Sequence, residues 1–196
     1  VNISFAKAST LSDNIALASL GAQAYDNGNW VETAWPGTGY QYDAALAIDD
    51  INFGSSFWAG YGPGGTQQIW INFDKKYTIN SIYLDELQPG QASPGDGSWA
   101  FVTSGSLEYL NNGTWHQLYD ITKNVADLML SFTPVDADGV RLNVYSASVP
   151  SSWANQNAEG LYSFEVGGTP ANPVPVPSAI YLLGAALIGL AAVRRK

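Results

Sequence analysis

Short segments in which apolar and polar residues alternate constrain the fold of this chain more than any other feature of its sequence. In QIWINFD (residues 68–74), Ile69, Ile71 and Phe73 take every second position, and VRLNVYS (residues 140–146) has the same pattern. A period of two is typical of a strand with one buried face. Residues 14–168 contain no long segment with the 3.6-residue period of a helix. The sequence therefore predicts an all-β domain.

A turn signal separates two further predicted strands. Asn111-Asn112-Gly113 lies between SLEYL and TWHQL, and Asn and Gly readily adopt the positive φ that a tight hairpin needs. Glycine, proline and asparagine also punctuate the other strand-like segments. Many short strands with such punctuation favour an antiparallel β-sandwich or barrel. Because the chain contains no cysteine, the domain has to be stable without disulfides.

Charge and aromatic content limit the partners of the chain. Asp and Glu outnumber Lys and Arg by 17 to 8, and the formal net charge is −9. This balance argues against a nucleic-acid partner, which requires a basic face for its phosphates. The chain has seven Trp and eleven Tyr. Since aromatic rings stack on the C–H faces of sugars, the composition favours an uncharged, amphipathic ligand such as a glycan.

The order of the strand-like segments resembles that of a known family. The segments occupy residues 14–22, 47–58, 67–84, 106–118, 132–142 and 161–166. Their succession resembles the discoidin domain, also called the coagulation factor V/VIII type C domain. The resemblance implies an antiparallel jelly-roll β-sandwich of the galactose-binding-like type over residues 14–168. It also implies a carbohydrate-binding module, because most bacterial members of the family are such modules.

The same resemblance implies a structural calcium site. The family pattern places its ligands at the carbonyl of Leu46, the carboxylate of Asp49, Ser56, the carbonyl of Tyr162, and Ser163. Oxygen ligands of mixed type suit calcium. Two departures leave calcium binding open: Ser163 stands where the family usually has glutamate, and the stretch from Asp49 to Ser56 is about two residues longer than usual.

Aromatic residues set among polar ones are the candidate sugar ligands. They fall in three segments that do not have strand patterns, at residues 25–42, 88–99 and 148–160. Loops at one end of such a sandwich are the expected site of ligand binding. The candidates are Trp30, Trp35, Tyr40, Trp99, Trp153 and Asn155. Trp58, Trp70 and Trp115 fall on strand patterns and are expected to pack within the domain.

The sequence does not favour an enzyme. His116, the only histidine, has no Ser or Cys partner at a suggestive spacing, and we interpret it as a surface residue. Asp49-Asp50 and Asp85-Glu86 are adjacent residues, which point to opposite faces of a strand. Asp136-Ala137-Asp138-Gly139 is typical of a turn. A hydrolase would require two carboxylates across a cleft.

The C-terminal residues differ from the rest of the chain. A proline-rich linker at residues 169–178 is followed by an apolar run and by Arg194-Arg195-Lys196. The run has no polar face, so residues 179–196 are predicted to form a transmembrane helix and a basic tail, with the cations in the cytoplasm. The run has only about 15 apolar residues, whereas a helix needs about 20 to span a bilayer. A helix that packs on its own domain is the alternative.

This tail resembles the PEP-CTERM sorting signal of Gram-negative bacteria, which the membrane protease exosortase handles. The resemblance rests on Pro175-Val176-Pro177, the apolar run and the three cations; Val176 replaces the glutamate of the motif. It implies export, anchoring in the inner membrane with the domain outside, and then release to the cell surface or beyond. Residues 1–13 are either a lead-in to the first strand or the remnant of a signal peptide, since Ala6-Lys7-Ala8 suits a signal peptidase.

Two functions follow from these patterns. The first is a secreted or surface-displayed, non-catalytic carbohydrate-binding module that contacts a glycan or the exopolysaccharide of the cell. The alternative is a structural or adhesive protein of the extracellular matrix, in which the same loops bind proteins or nothing specific.

Overall fold

A computed structural model describes residues 11–28, 42–51, 57–60, 65–86, 101–122, 127–148 and 159–171. This part of the chain forms seven β-strands and two short 3₁₀ helices, and every strand pairing in it is antiparallel. The strands are β1 (Gln23–Asp26), β2 (Trp58–Gly60), β3 (Gln67–Glu86), β4 (Phe101–Asn111), β5 (Thr114–Ile121), β6 (Asp127–Ser148) and β7 (Glu159–Pro170). The 3₁₀ helices are Ala18–Leu20 and Ala44–Ile48.

Two long strands, β3 and β6, take part in both layers of the fold. Residues 67–72 of β3 pair with β1 and with residues 139–144 of β6. Residues 77–86 of β3 pair with residues 127–137 of β6 and with β7. Sheet I thus has the order β1-β3-β6-β4-β5, and sheet II has the order β6-β3-β7-β2. This arrangement confirms the predicted antiparallel β-sandwich.

The core lies between the two sheets and is made of the alternating residues that the sequence pattern identified. Ile69 and Ile71 from sheet I and Leu84 from sheet II are fully buried. They belong to one cluster with Leu142, Val144, Phe164 and Val166. Each such side chain contributes about 1.5–3 kcal/mol on burial. The tryptophan of β2, Trp58, is also fully buried, which confirms that it packs within the domain.

The predicted hairpin joins β4 and β5. Asn112 and Gly113 have φ values of 51° and 78°, the left-handed region that Asn and Gly tolerate. Lys76 Nζ donates hydrogen bonds to Oδ1 of Asn111 at 2.7 Å and of Asn112 at 2.9 Å. Lys76 lies where β3 passes from sheet I to sheet II, and Ala171 N donates to its carbonyl at 3.1 Å. The hairpin, this corner of β3 and the end of β7 therefore share one end of the sandwich, the corner end.

The opposite end of the sandwich, the loop end, gathers most of the other strand termini. Both ends of β3 reach it, because the strand turns back at its corner. Glu86, the last residue of β3, accepts a hydrogen bond from Val102 N near the start of β4. Gln67, the first residue of β3, lies against Gly60 at the end of β2. The described residues that flank segments 29–41, 61–64, 87–100 and 149–158 lie at the loop end; segment 29–41 runs from β1 to the 3₁₀ helix Ala44–Ile48, and the other three connect strands.

The predicted tail features lie outside the described residues. They comprise Pro175, Val176, Pro177, Arg194, Arg195 and Lys196, with the apolar run between them. In the part of the chain that the structure describes, no helix is long and apolar enough to cross a membrane. The last described residue, Ala171, is at the corner end, so the tail starts at the end opposite to the loop end.

Candidate functional site

The candidate ligand residues predicted from sequence all belong to segments whose described flanking residues lie at the loop end. Trp30, Trp35, Tyr40, Trp99, Trp153 and Asn155 lie outside the described residues. The strand termini that flank their segments are described, and side-chain hydrogen bonds link these termini to one another. We call the described residues that directly flank a segment its stems. The site is therefore described through its stems.

Asp26 fixes the point at which the chain leaves β1 toward segment 29–41. Its Oδ1 accepts a hydrogen bond from Gly28 N at 3.1 Å, and its Oδ2 accepts one from Trp58 Nε1 at 3.0 Å. Because the indole of Trp58 is fully buried, its N–H requires a partner inside the protein. Asp26 supplies that partner and ties the stem to the core.

Asn27 joins the same stem to the start of β3. Its Nδ2 donates to the carbonyl of Thr66 at 2.9 Å, and its Oδ1 accepts from Gln68 N at 2.8 Å. Asn27 N also donates to the carbonyl of Gln68 at 3.2 Å. The stem of segment 29–41 is thereby held beside the chain that follows segment 61–64.

Glu86 and Val102 join the two stems of segment 87–100. Glu86 is buried, and its Oε2 accepts a hydrogen bond from Val102 N at 3.2 Å. Burial raises the pKa of Glu86 to about 9, the negative charge of Asp127 adds to this rise, and the Val102 hydrogen bond opposes it. At neutral pH the side chain is an uncharged carboxylic acid between the sheets. In the sequence, Glu86 stands out only as one of the adjacent acids Asp85-Glu86, and no local pattern indicates that it is buried.

Thr103 and Ser146 extend these links to segment 149–158. Their hydroxyl oxygens are 2.7 Å apart, which joins the start of β4 to the end of β6. The stems of segments 87–100 and 149–158 are therefore neighbours. The described residues that flank the three aromatic segments thus lie at the same end of the sandwich.

Gln67 places a polar group beneath the loop end. The residue is only 2% exposed, and neither amide atom has a hydrogen-bond partner among the described residues. It lies against Gly60, where an added Cβ would collide with Gln67 Oε1 and with the ring of Trp58. A buried amide without partners costs about 1–3 kcal/mol per group.

Two of the predicted calcium ligands lie at the 3₁₀ helix Ala44–Ile48, which packs against β7: Leu46 is in the helix, and Asp49 follows it directly. Tyr42 stacks on Phe57 at 4.6 Å between ring centroids, and Phe57 meets Tyr162 edge to face at 5.5 Å. These contacts hold the region of the helix near the start of β7.

The chemistry of this region is only a partial fit to calcium. Asp49 Oδ1 accepts a hydrogen bond from Ile51 N at 2.8 Å, and Ser163 Oγ donates to Glu165 Oε1 at 3.4 Å. Ser56 lies outside the described residues. Within the described ranges, no group of three or more Asp, Glu or His side chains is arranged to hold a metal. The described residues alone do not assemble the six to eight oxygen ligands of a calcium site.

The residues considered for catalysis have structural contacts. His116 is exposed and stacks on Tyr109 with ring centroids 5.1 Å apart, which confirms its interpretation as a surface residue. Asp136 Oδ1 accepts from Thr78 Oγ1 at 2.7 Å, and Asp138 Oδ2 accepts from Asn112 N at 2.9 Å.

The expectation that Trp70 and Trp115 pack within the domain is wrong. Both are part-exposed on the outer face of sheet I. Trp70 alternates with Ile69 and Ile71, which point into the core, so the pleat directs its ring outward. The alternation in the sequence contained this signal.

Solved structures with a similar fold include several carbohydrate-binding modules. Chitosan-binding module 1 of a chitosanase/glucanase from Paenibacillus sp. IK-5 has a TM-score of 0.58 and 21% identity, covering 79% of this chain and 98% of that one. Module 2 of the same enzyme, in complex with chitotriose, has a TM-score of 0.58 and 20% identity, covering 79% and 100%. The family 32 module of NanJ from C. perfringens, in complex with galactose, has a TM-score of 0.57 and 16% identity. The match covers 79% of this chain and 97% of that one.

These structures show an antiparallel sandwich of the galactose-binding-like type. No curated protein sequence matches the chain. The model of the F5/8 type C domain matches residues 22–162, well over half of the sequence. This chain therefore belongs to the F5/8 type C domain family.

Proposed function

We propose that the protein is a non-catalytic carbohydrate-binding module that binds a glycan at the loop end. The observation that carries the proposal is that the described residues flanking segments 29–41, 87–100 and 149–158 lie at one end of the sandwich. Their stems are linked by Asp26, Asn27, Glu86 and Thr103. Linked stems reduce the conformational freedom that a binding site loses when it holds a ligand.

The residue types in these segments favour a glycan over other ligands. They bring four tryptophans together with Asn, Gln and Asp side chains, and aromatic rings with polar neighbours suit a sugar. The complexes of related modules with chitotriose and with galactose support the same class of ligand. The excess of acidic residues disfavours strongly anionic polymers.

A glycan array probed with the 196-residue chain tests the proposal. The matched control is Met129→Ala, because Met129 is 50% exposed on sheet II and belongs to none of the three aromatic segments. We expect defined oligosaccharides to bind the native chain and the control equally, and Trp35→Ala or Trp153→Ala to reduce that binding. A blank array from folded protein would contradict the proposal and favour the matrix-protein alternative.

We further propose that the protein is exported and sorted through its C-terminal tail. The resemblance to an exosortase signal supports this, and the position of Ala171 at the corner end is compatible with it, since a tail attached there leaves the loop end free. The test is expression in a Gram-negative host with an exosortase, with and without residues 173–196. Loss of inner-membrane association and processing on deletion is expected; identical fractionation of both chains would contradict the proposal.

A structural calcium ion beside Asp49 is likewise proposed. The family resemblance and the packing of the helix Ala44–Ile48 on β7 support it. The ion would link the loop after β1 to the start of β7, through Leu46, Asp49, Ser56, Tyr162 and Ser163, and would have a structural role.

A further inference from the structure

The outer face of sheet I carries an array of aromatic and uncharged polar side chains that the loop-end site does not use. Alternation places Tyr25 on β1, Gln68 and Trp70 on β3, and Tyr145 on β6 on this face. Their partners across the strands, Asn143 and Ser106, lie on the same face but are themselves buried, so they orient the exposed members. We call these six residues the sheet I array.

Tyr25 and Trp70 form the aromatic part of the array. They are direct cross-strand partners, and their rings are stacked with centroids 5.8 Å apart and an interplanar angle of 19°. Tyr25 is 41% exposed, and its hydroxyl donates to Gln23 Oε1 at 2.6 Å. Stacking and this hydrogen bond hold two ring faces in a fixed position at the surface.

A ladder of hydrogen bonds forms the polar part of the array. Gln68 Nε2 donates to Asn143 Oδ1 at 2.7 Å, and Asn143 Nδ2 donates to Ser106 Oγ at 3.0 Å. Ser106 Oγ is 2.9 Å from the hydroxyl of Tyr145, which is 51% exposed. The ladder orients Gln68 and Tyr145, and each retains hydrogen-bonding capacity toward solvent.

The charged side chains that the structure describes beside the array are one ion pair and Asp120, an exposed carboxylate that lies across the strands from Ser106. Arg141 lies between Trp70 and Glu108 across the strands and forms an ion pair with Glu108. Its guanidinium also lies over the ring of Trp115, 4.3 Å from the centroid. The array itself contains no charged side chain, and the negative charge of Asp120 at its edge disfavours an anionic polymer, so the array suits an uncharged partner.

We propose that the sheet I array is a second glycan-binding surface, which takes an extended, uncharged polysaccharide chain. Ring faces next to oriented amide and hydroxyl groups match the alternating C–H and O–H surfaces of a sugar polymer. Rows of side chains about 6.6 Å apart along the strands provide contacts over several sugar units.

Affinity electrophoresis of the 196-residue chain in gels that contain galactomannan or mixed-linkage β-glucan tests this proposal, with alginate as the anionic counterpart. The key variant is Tyr25→Ala/Tyr145→Ala, because both residues are largely exposed and their replacement spares the core. Met129→Ala is the control at an exposed position of sheet II. Circular dichroism melting checks that each variant is folded.

A neutral polymer is expected to retard the native chain and Met129→Ala equally, and alginate is expected to retard neither. The double variant should bind the neutral polymer about 10-fold more weakly, since each lost stacking contact weakens binding about 3-fold or more. Trp35→Ala should retain part of the polymer binding but lose oligosaccharide binding. Tyr25→Ala/Tyr145→Ala should leave the binding of oligosaccharides on the glycan array unchanged.

The outcomes separate this proposal from the proposed loop-end function. Equal retardation of the double variant and the native chain would overturn the second surface and leave the loop-end site intact. If no oligosaccharide binds on the glycan array but a neutral polymer still retards the chain through Tyr25 and Tyr145, only the loop-end site is overturned. If neither neutral polymer retards the native chain, the second surface is overturned, whatever the glycan array shows.

Discussion

The backbone amide of Val102 donates a hydrogen bond to Oε2 of Glu86 across 3.2 Å, between the first residues of β4 and the last residue of β3. This contact joins the two stems of segment 87–100 through a carboxyl group that burial keeps protonated at neutral pH. The loop end is thus built on an uncharged acid, and its stability should depend on pH.

Glu86 should make the protein less stable as pH rises. Its pKa is raised to about 9 from 4.5, so between these values the folded state binds a proton that the unfolded state has released. The contribution of Glu86 to the free energy of unfolding is therefore largest below about pH 4.5 and falls by up to about 1.4 kcal/mol per pH unit up to about pH 9. Urea denaturation at about pH 5, 7 and 9 measures this slope.

The matched variant is Glu86→Gln, which keeps the shape of the side chain and an acceptor for Val102 N but cannot ionise. It should be more stable than the native chain at pH 9, with a smaller slope, and similar to it near pH 5. Asp136→Asn, on the exposed part of β6, serves as control. An unchanged slope in Glu86→Gln would contradict the buried, protonated state of Glu86.

Asp26→Ala should destabilise the domain through Trp58. The buried indole N–H loses its acceptor, which costs about 1–3 kcal/mol. Asp120→Ala removes a carboxylate that accepts from Gln117 Nε2 at an exposed position, and should change stability by less than about 0.5 kcal/mol. Chemical denaturation compares the two; equal effects would refute the role of Asp26.

Gln67→Met should stabilise the domain by about 1 kcal/mol, because it removes two buried amide atoms without partners and keeps a similar volume. The measurement is the midpoint of urea unfolding beside the native chain. Gln23→Met, at an exposed position of β1, controls for the general effect of the substitution. Clear destabilisation by Gln67→Met alone would show that the amide has a partner beyond the described residues.

Calcium should raise the melting temperature if the proposed site forms. Calcium at about 100 times its dissociation constant stabilises a protein by about 2.7 kcal/mol, and an excess of EGTA should reverse the shift. Asp49→Ala should abolish the response, whereas Asp136→Ala, whose carboxylate contacts Thr78, should retain it. Identical melting in calcium and in EGTA would rule out the site.

Local patterns predicted the strands, and long-range pairing decided the rest. Alternation in residues 68–74 and the signal at Asn112-Gly113 identified β3 and the hairpin because both depend on neighbours in the chain. The same alternation could not show that β3 continues to Glu86 and changes sheets near Lys76. A period of two specifies which side chains share a face, but it does not specify which strands cover that face.

The site was predictable to a similar extent. The aromatic segments were recognised by composition, and their attachment to one end follows from the topology of β3 and β6. The link between Asp26 and Trp58, 32 residues apart, and the buried acid Glu86 have no local signature. Trp70 was assigned to the interior although its neighbours Ile69 and Ile71 indicated the outer face.

Calorimetric titration with an oligosaccharide that binds on the array tests the central claim most directly. The account predicts that Trp30→Ala, Trp35→Ala or Trp153→Ala weakens binding by at least about 10-fold in one variant or more, because a buried aromatic anchor is worth about 2 kcal/mol. The same variants should melt like the native chain, and Met129→Ala should bind like it. Native affinity in all three tryptophan variants would contradict a glycan site at the loop end.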